Sequence, residues 1–242
     1  YTYNLVWQTV EQQSNINSRI RIPLCMVTGW YDFFPTEIIG LYESLKTESA
    51  PSVWNAHKLI VGPWQHMTVD FADQGDRTYP DAVNVARESA LQFFAYYLLD
   101  SLSNPWDQSP NVTYYEMGPN SWRTTGSWAT LPRSTDTLYL TADSTLLGNA
   151  NTPSATHTRV YDPLNPAPSL GGQRFHPPQI WGSSVPEGPV DQSPLLSRSD
   201  VWVYKTAPLT QPLRILGKSS LRATLSADVT DTDLAMRLGE EL

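Results

Sequence analysis

The residues that could do chemistry in this chain lie in two short loops, each directly after a mainly apolar run. The first loop, residues 29–32, ends at Asp32, and the second, residues 62–66, ends at His66. A histidine that takes a proton from a nucleophile must hold one tautomer and tolerate a positive charge, and a neighbouring carboxylate provides both. An acid that precedes a histidine along the chain is typical of the last two members of a nucleophile–acid–histidine triad.

Two parallel strands are needed to bring these loops together. Residues 22–28 form a continuous apolar run that ends at a glycine, and residues 58–61 form a second such run; both are typical of strands buried on two faces. Residues 36–45 carry apolar side chains at helical spacing, with Thr36 as the predicted N-cap. Strand, helix and strand form a βαβ unit, whose catalytic groups gather at the carboxyl ends of the strands. We therefore expect a carboxylate oxygen of the acid within roughly 2.6–3.2 Å of a ring nitrogen of the histidine.

The sequence pattern changes from alternating strands and helices to short β segments after about one hundred residues. A helix is predicted over residues 81–99, with Asp81 as its N-cap, because apolar side chains recur there at steps of three and four. Residues 101–110 contain two prolines and no periodic pattern, which makes them the best candidate for a boundary. The predicted domains are residues 1–104 and residues 105–242, and the fold class is α/β followed by all-β.

The second predicted domain is rich in short β segments separated by turn residues, which favours an antiparallel sandwich of two layers. The segments are residues 112–117, 137–140, 201–204 and 221–225. Residues 162–189 are rich in proline and predict long surface loops.

The composition limits the classes of protein to which the chain can belong. With 40% hydrophobic residues and a mean hydropathy of −0.35, the 242 residues can form a core, but no apolar run approaches the ~20 residues of a membrane span. The net charge of −8, without a basic run, argues against binding to nucleic acid. A single cysteine, Cys25, excludes a disulfide framework and a Cys-based zinc site. The chain starts without Met or a targeting segment, so either a segment has been removed or the chain is a piece of a longer protein. The expected protein is soluble, either cytoplasmic or secreted.

At the two loops the sequence resembles a family of serine hydrolases that includes cocaine esterase, α-amino acid ester hydrolases, glutaryl-cephalosporin acylases and X-Pro dipeptidyl-peptidases. The matching stretches are IPLCMVTGWYD, which ends at Asp32, and KLIVGPWQH, which ends at His66. Two later stretches, YYEMGPNSWRTTGSWATLP and YDPLNPAPSLGG, resemble the family's C-terminal jelly-roll domain. The resemblance covers nearly the whole chain, with its motifs in the family's order.

The resemblance implies that residues 1–104 are the C-terminal part of an α/β-hydrolase domain and that residues 105–242 are a jelly-roll β-sandwich, truncated at its end. It makes Asp32 the triad acid and His66 the general base in the hydrolysis of an ester, an amide or a short peptide, without a metal or an organic cofactor. The family's serine lies upstream on a Gly-x-Ser-x-Gly elbow, and this sequence contains no such elbow. The implied partner is therefore the missing upstream half of the hydrolase, which could also be a separate chain.

Aromatic residues near the two loops are candidates for a substrate pocket, and Tyr31 and Trp64 are the first among them. His57, at the start of the second predicted strand, is expected to be a structural or an exposed histidine and not a base. The serines that a nucleophile search would consider all fall in the β-rich half, outside any strand-to-helix turn. They are Ser127, Ser183, Ser184 and Ser219.

Two other interpretations stay open. The β-rich half could be a non-catalytic binding or interaction module, for instance for carbohydrate, in which case a row of aromatic side chains should be exposed on one face of the sandwich. Asp228, Asp231 and Asp233 alternate like calcium ligands, but they lack the glycine and the closing glutamate of an EF-hand loop. An exposed strand end is the preferred interpretation of these three residues.

Overall fold

The chain folds into two units, each described here by itself. The structure is a computed structural model, and it describes residues 4–14, 16–101, 103–149, 156–175 and 186–241. The first unit contains residues 1–132 and 169–191, and the second contains residues 133–168 and 192–242. None of the helices in the described part of the chain has the length and apolar character needed to cross a bilayer.

The first unit is built on a four-stranded sheet. Its helices and strands are α1 (Leu5–Ser14), β1 (Cys25–Tyr31), α2 (Pro35–Glu48), β2 (Lys58–Gln65), β3 (Asp73–Gln74), β4 (Arg77–Thr78), α3 (Val85–Leu98), β5 (Val112–Glu116) and β6 (Ser121–Thr125). The order in the main sheet is β1-β2-β5-β6, and β3 and β4 form a separate two-stranded ladder. Strand β2 is buried along its whole length, as its apolar sequence predicts.

The predicted βαβ unit is present. β1 and β2 run parallel, with Val27 opposite Ile60, and α2 connects them. The start of the helix differs from the prediction, because Pro35 occupies its first turn and Thr36 lies inside it; the N-cap position belongs to Phe34, whose side chain makes no capping bond. Proline suits this first turn, since its missing N–H would have no intrahelical partner there.

Close approach of β1 and β2 at their carboxyl ends depends on glycine. A Cβ atom on Gly29 would lie 2.0 Å from the backbone oxygen of Trp64. Since that obstacle is backbone, no side-chain movement could relieve it, and only glycine lets the two strands end side by side. The glycine that ends the first apolar run therefore brings the two candidate loops together.

Strand β5 was expected in the sandwich, and its placement is a correction. It pairs in parallel with β2, with Val112 opposite Leu59, and β6 then pairs antiparallel to β5. Residues 112–117 thus extend the sheet that carries the candidate site. Their β-forming side chains and flanking turn residues predicted a strand correctly, but such local features do not specify the partner strand.

The core of the first unit lies between this sheet and the segment around α3. The buried cluster consists of Ile60, Trp64, Tyr79, Ala82, Ala86 and Tyr115. The indole N–H of Trp64 donates to the backbone oxygen of Ala82 at 3.1 Å, and the hydroxyl of Tyr115 donates to Oδ1 of Asp81 at 2.7 Å. These bonds give the buried polar atoms of two large aromatic side chains a partner, as burial requires.

Helix α3 begins later than predicted, and a different aspartate caps it. The helix starts at Val85, after Asn84 in the left-handed region at φ 62°. The carboxylate of Asp70 accepts hydrogen bonds from the backbone N–H groups of Ala86 at 2.7 Å and of Arg87 at 2.8 Å. Asp70 thus does the work assigned from sequence to Asp81, because the chain folds back to place a distant carboxylate at the helix N-terminus.

The second unit contains little regular structure among its described residues. Its elements are β7 (Tyr139–Leu140), β8 (Leu146–Leu147) and the short helix α4 (Ser193–Leu196). β7 and β8 pair antiparallel, and Thr145 makes an isolated parallel bridge with Lys205. The described residues of this unit contain no second layer of strands, so the jelly-roll sandwich remains a prediction.

Candidate active site

Asp32 and His66 lie together at the carboxyl edge of the sheet. Nδ1 of His66 is 3.0 Å from Oδ1 of Asp32, a hydrogen-bond distance inside the range expected from the sequence. The acid is buried, and the histidine side chain keeps 34% of its surface exposed. A buried carboxylate beside a partly exposed imidazole can hold the ring in one orientation and leave its other nitrogen toward the surface.

Hydrogen bonds from residues nearby in sequence orient the carboxylate of Asp32. Its Oδ2 accepts from the hydroxyl of Thr28 at 3.3 Å, and its Oδ1 also accepts from the backbone N–H of Phe34 at 3.3 Å. The backbone N–H of Asp32 donates to the oxygen of Gly29 at 3.0 Å. The end of β1 and the N-cap residue of α2 therefore both hold Asp32 in place.

Three phenylalanine rings surround the imidazole of His66. The ring centroids of Phe33, Phe34 and Phe175 lie 4.6, 5.9 and 5.4 Å from its centroid. Phe33 and Phe34 follow the acid directly, so their position was predictable. Phe175 comes from the proline-rich segment, where no sequence signal links it to the site. The rings form an apolar wall at the histidine, within the first unit.

The two aromatic residues that we predicted as substrate contacts differ in position. Tyr31 is half-buried at the end of β1, where burial raises the pKa of its phenol in spite of the nearby Arg77. Trp64 is fully buried, and its indole takes part in the core described above. The Trp64 ring has no exposed surface, whereas Tyr31 keeps part of its surface accessible.

No nucleophile joins Asp32 and His66 among the described residues. Among the described residues, no serine hydroxyl hydrogen-bonds to His66, and Ser183 and Ser184 lie outside the described ranges. Ser127 instead follows β6 and belongs to a turn closed by Thr125. Within the described part of the chain, no three acidic, histidine or cysteine side chains cluster as metal ligands, and this includes Asp228, Asp231 and Asp233. The site as described can orient and hold a proton, but it does not supply the attacking atom.

Ser49 and His57 form a serine–histidine pair elsewhere in the first unit, and its hydrogen bonds exclude it as a catalytic dyad. Nδ1 of His57 accepts from the backbone N–H of Leu24 at 3.2 Å, so the ring proton must sit on Nε2. That Nε2 lies 3.0 Å from Oγ of Ser49, whose own proton goes to the oxygen of Leu45 at 2.6 Å. The histidine therefore donates to the serine and cannot take its proton. As predicted, His57 is structural.

His57 should make stability depend on pH. Burial, followed by the charge of Lys46, lowers the pKa of His57, and the ring is fully buried. Below about pH 6.5 the unfolded chain binds a proton that the folded chain refuses, so stability present at neutral pH is lost as the pH falls, by at most ~1.4 kcal/mol per pH unit. The variant His57→Gln keeps a donor and an acceptor but cannot titrate. Denaturant unfolding from pH 7 to pH 5 should show its deficit against wild type shrinking, whereas parallel profiles would contradict the assignment.

Two family models and a curated relative match this chain. The family model for the X-Pro dipeptidyl-peptidase C-terminal non-catalytic domain matches residues 104–240, and that for X-Pro dipeptidyl-peptidase (S15 family) matches residues 1–68. The chain is 27% identical over 245 residues to cocaine esterase from Rhodococcus sp. (strain MB1 Bresler), an alignment that covers 96% of this chain and 40% of the esterase.

Solved structures of two hydrolases are similar as well. The first is an aminopeptidase from the marine sediment archaeon Thaumarchaeota archaeon, with a TM-score of 0.66 and 26% identity over 86% of this chain and 34% of the aminopeptidase. The second is an α-amino acid ester hydrolase, with a TM-score of 0.54 and 25% identity over 69% of this chain and 28% of the hydrolase. The chain thus spans well under half the length of each of these relatives.

Proposed function

Since this chain belongs to the X-Pro dipeptidyl-peptidase family of hydrolases, we propose that it supplies the acid and the base of a Ser-His-Asp triad whose serine lies in an upstream part of the protein. The substrate class is a small ester, an amide or a short peptide. The single observation that carries the proposal is the 3.0 Å contact between Nδ1 of His66 and Oδ1 of buried Asp32 at the carboxyl edge of a parallel sheet.

The contact between Asp32 and Nδ1 supports a division of tasks between the two ring nitrogens of His66. Asp32 accepts the proton on Nδ1, so the lone pair on Nε2 of His66 faces the serine. His66 takes the hydroxyl proton as the serine oxygen bonds to the carbonyl carbon, and it then passes that proton to the leaving alcohol or amine. A water molecule then attacks the acyl-serine carbonyl while His66 takes its proton. The proton passes to the serine oxygen as the C–O bond breaks and the carboxylic acid product leaves. Every step uses only protons and electron pairs that these groups carry.

The proposed domains remain those predicted from sequence. Residues 1–104 form the C-terminal part of the α/β-hydrolase domain, and residues 105–242 form the jelly-roll domain. The two family matches support this division, because the C-terminal match begins at residue 104. Strand β5 lies beyond that boundary yet extends the catalytic sheet, so we propose that the second domain contributes a strand to the first.

The open edge of β1 is the proposed attachment point of the upstream half. β1 pairs only with β2 among the described strands. The oxygen of Leu24 accepts from the N–H of Lys58, so alternation along the strand directs the N–H and C=O groups of Cys25 and Val27 away from β2. A strand whose sequence is typical of burial on both faces would gain a further parallel neighbour there.

Substrate contact is proposed for Tyr31, and the three phenylalanine rings at His66 support an apolar acyl or aromatic binding surface beside it. Apolar walls with a few polar groups are the usual lining of small-molecule sites. The names of the relatives point to esters and peptides alike, so the proposal extends to the bond type and not to a particular substrate.

The experiment that tests the function combines this chain with a polypeptide carrying the upstream half. We expect hydrolysis of an activated aryl ester to appear on mixing, together with labelling of one upstream serine by a fluorophosphonate probe. Both signals should vanish with His66→Ala and persist with His157→Ala, a matched control outside the site. Labelling that survives His66→Ala would overturn the proposal.

A further inference from the structure

Gln74 is a buried amide whose side chain uses all of its hydrogen-bonding groups on the loop that carries His66. It lies in β3, eight residues after the histidine, and its exposed fraction is 0%. Its Oε1 accepts from the backbone N–H of Gln65 and from the hydroxyl of Thr68, each at 2.8 Å. Its Nε2 donates to the backbone oxygen of Thr68 at 2.8 Å and of Phe71 at 2.9 Å.

The pattern of these four bonds allows one orientation of the amide. A flipped amide would turn its NH2 group to the N–H of Gln65 and its oxygen to the backbone oxygens of Thr68 and Phe71, and only the Thr68 hydroxyl could pair with either orientation. Buried amides without partners are costly, and a fully satisfied one holds its neighbours in place. Gln74 therefore acts as a rigid template for the backbone of residues 65–71.

The template includes the residues on both sides of His66. Its first bond holds the N–H of Gln65, the residue directly before the histidine, and two more hold Thr68, two residues after it. Two backbone bonds complete the loop, from the N–H of Thr68 to Gln65 and from the N–H of Phe71 to Thr68. The side chain of Gln74 thus fixes the loop backbone on both sides of His66, and this backbone sets the direction of the imidazole.

We propose that Gln74 is a positioning residue that holds His66 within hydrogen-bond distance of Asp32, an inference that rests on the proposed function for its catalytic consequence. The imidazole itself makes one hydrogen bond among the described residues, to Asp32, and three phenylalanine rings lie beside it. Contacts between rings allow the imidazole to slide, so the loop backbone must fix its position relative to Asp32. None of the four hydrogen bonds of the Gln74 side chain goes to Asp32 or to the imidazole, so Gln74 acts through the loop.

The first test measures the tautomer of His66 in this chain, without reference to activity. The chain has four histidines, and selective ¹⁵N labelling resolves their ring nitrogens. At about pH 8, where an ordinary imidazole is neutral, wild type should show His66 with its proton on Nδ1. Gln74→Ala should lower the fraction of this tautomer and broaden the ring signals. Thr68→Val removes one of the four bonds and should produce a smaller change in the same direction.

Asn111 provides the matched control. Its amide nitrogen donates to the backbone oxygens of Asn55 at 2.8 Å and His57 at 3.3 Å, at the opposite end of β2. Asn111→Ala should lower the unfolding midpoint and leave the His66 ring signals unchanged. If Gln74→Ala and Thr68→Val also leave those signals at their wild-type values, Gln74 is merely structural and the inference is wrong. If Gln74→Ala does not fold, Thr68→Val alone decides between these outcomes.

The second test uses the protein completed by its upstream half. Gln74→Ala should lower kcat by about 10²-fold, the size expected when a catalytic group is misplaced by about 1 Å, with little change in KM. Asn111→Ala should leave kcat unchanged. If the completed protein has no His66-dependent activity, the proposed function fails, while the tautomer measurement still decides the role of Gln74.

Discussion

In the hydrolase completed by its upstream half, His66→Ala should lower kcat by about 10⁶-fold and Asp32→Asn by about 10⁴-fold, as equivalent changes do in serine-hydrolase triads. Alanine removes the base altogether. Asparagine has nearly the shape of the acid, but it can turn its amide N–H toward Nδ1 of His66. The ring would then carry its proton on Nε2 and present no lone pair to the serine. Steady-state rates with an activated aryl ester measure both effects.

The rate of the Asp32→Asn variant distinguishes a catalytic role of Asp32 from a structural one. A structural role for Asp32 would lower stability and leave the specific activity of the folded enzyme near the wild-type value. Asp73→Asn is a matched control, because Asp73 is exposed and its carboxylate accepts only from Thr78 in the described contacts. Its rate should match that of wild type. An Asp32→Asn enzyme as fast as this control would remove the acid from the mechanism.

This chain by itself should hydrolyse an activated aryl ester no faster than buffer does. The 242 residues contain no Gly-x-Ser-x-Gly elbow, and among the described residues no serine hydroxyl meets His66. Triads that lose a member keep ~10³–10⁴-fold catalysis over water because the oxyanion hole and the substrate contacts remain. Here these contributions are expected in the upstream half as well, so that residual rate should also be missing.

The measurement needs a probe that reports a hidden nucleophile. A fluorophosphonate incubated with the purified chain should label no serine stoichiometrically. Labelling of one serine that disappears in the His66→Ala variant would mean that the chain contains its own nucleophile, and the proposed division of the triad would be wrong. A rate that rises only when the upstream half is added would agree with the proposal.

Several features of the site follow from sequence because they depend on neighbours along the chain. Apolar runs that end in glycine mark strands buried on both faces, and the residues after such strands gather at one sheet edge. Asp32 and His66 could therefore be paired before any coordinates, and the structure places their side chains 3.0 Å apart. In the same way, the position of His57 at a strand start argued against its being a base, while its burial is seen only in the structure.

Other features were decided by partners far away in sequence, for which local pattern carries no signal. Composition indicated that residues 112–117 form a strand, but the choice of β2 as its neighbour depends on which surfaces remain unpaired after the chain collapses. Asp70 and not Asp81 caps α3, because a fold of the chain brings a distant carboxylate to two free N–H groups. Predicting such pairings requires the three-dimensional positions of both groups.

By itself, the sequence determined that an acid and a histidine follow the carboxyl ends of two adjacent parallel strands. Strand burial and the position of glycine depend on short runs of neighbouring residues, and these can be read from sequence. Only the tertiary structure decided what surrounds that pair. Phe175 reaches the imidazole from more than one hundred residues downstream, and Gln74 holds the loop backbone from a separate two-stranded ladder. Neither residue stands out in the sequence. They gain a role at the site only because folding brings complementary surfaces and hydrogen-bonding groups within contact distance.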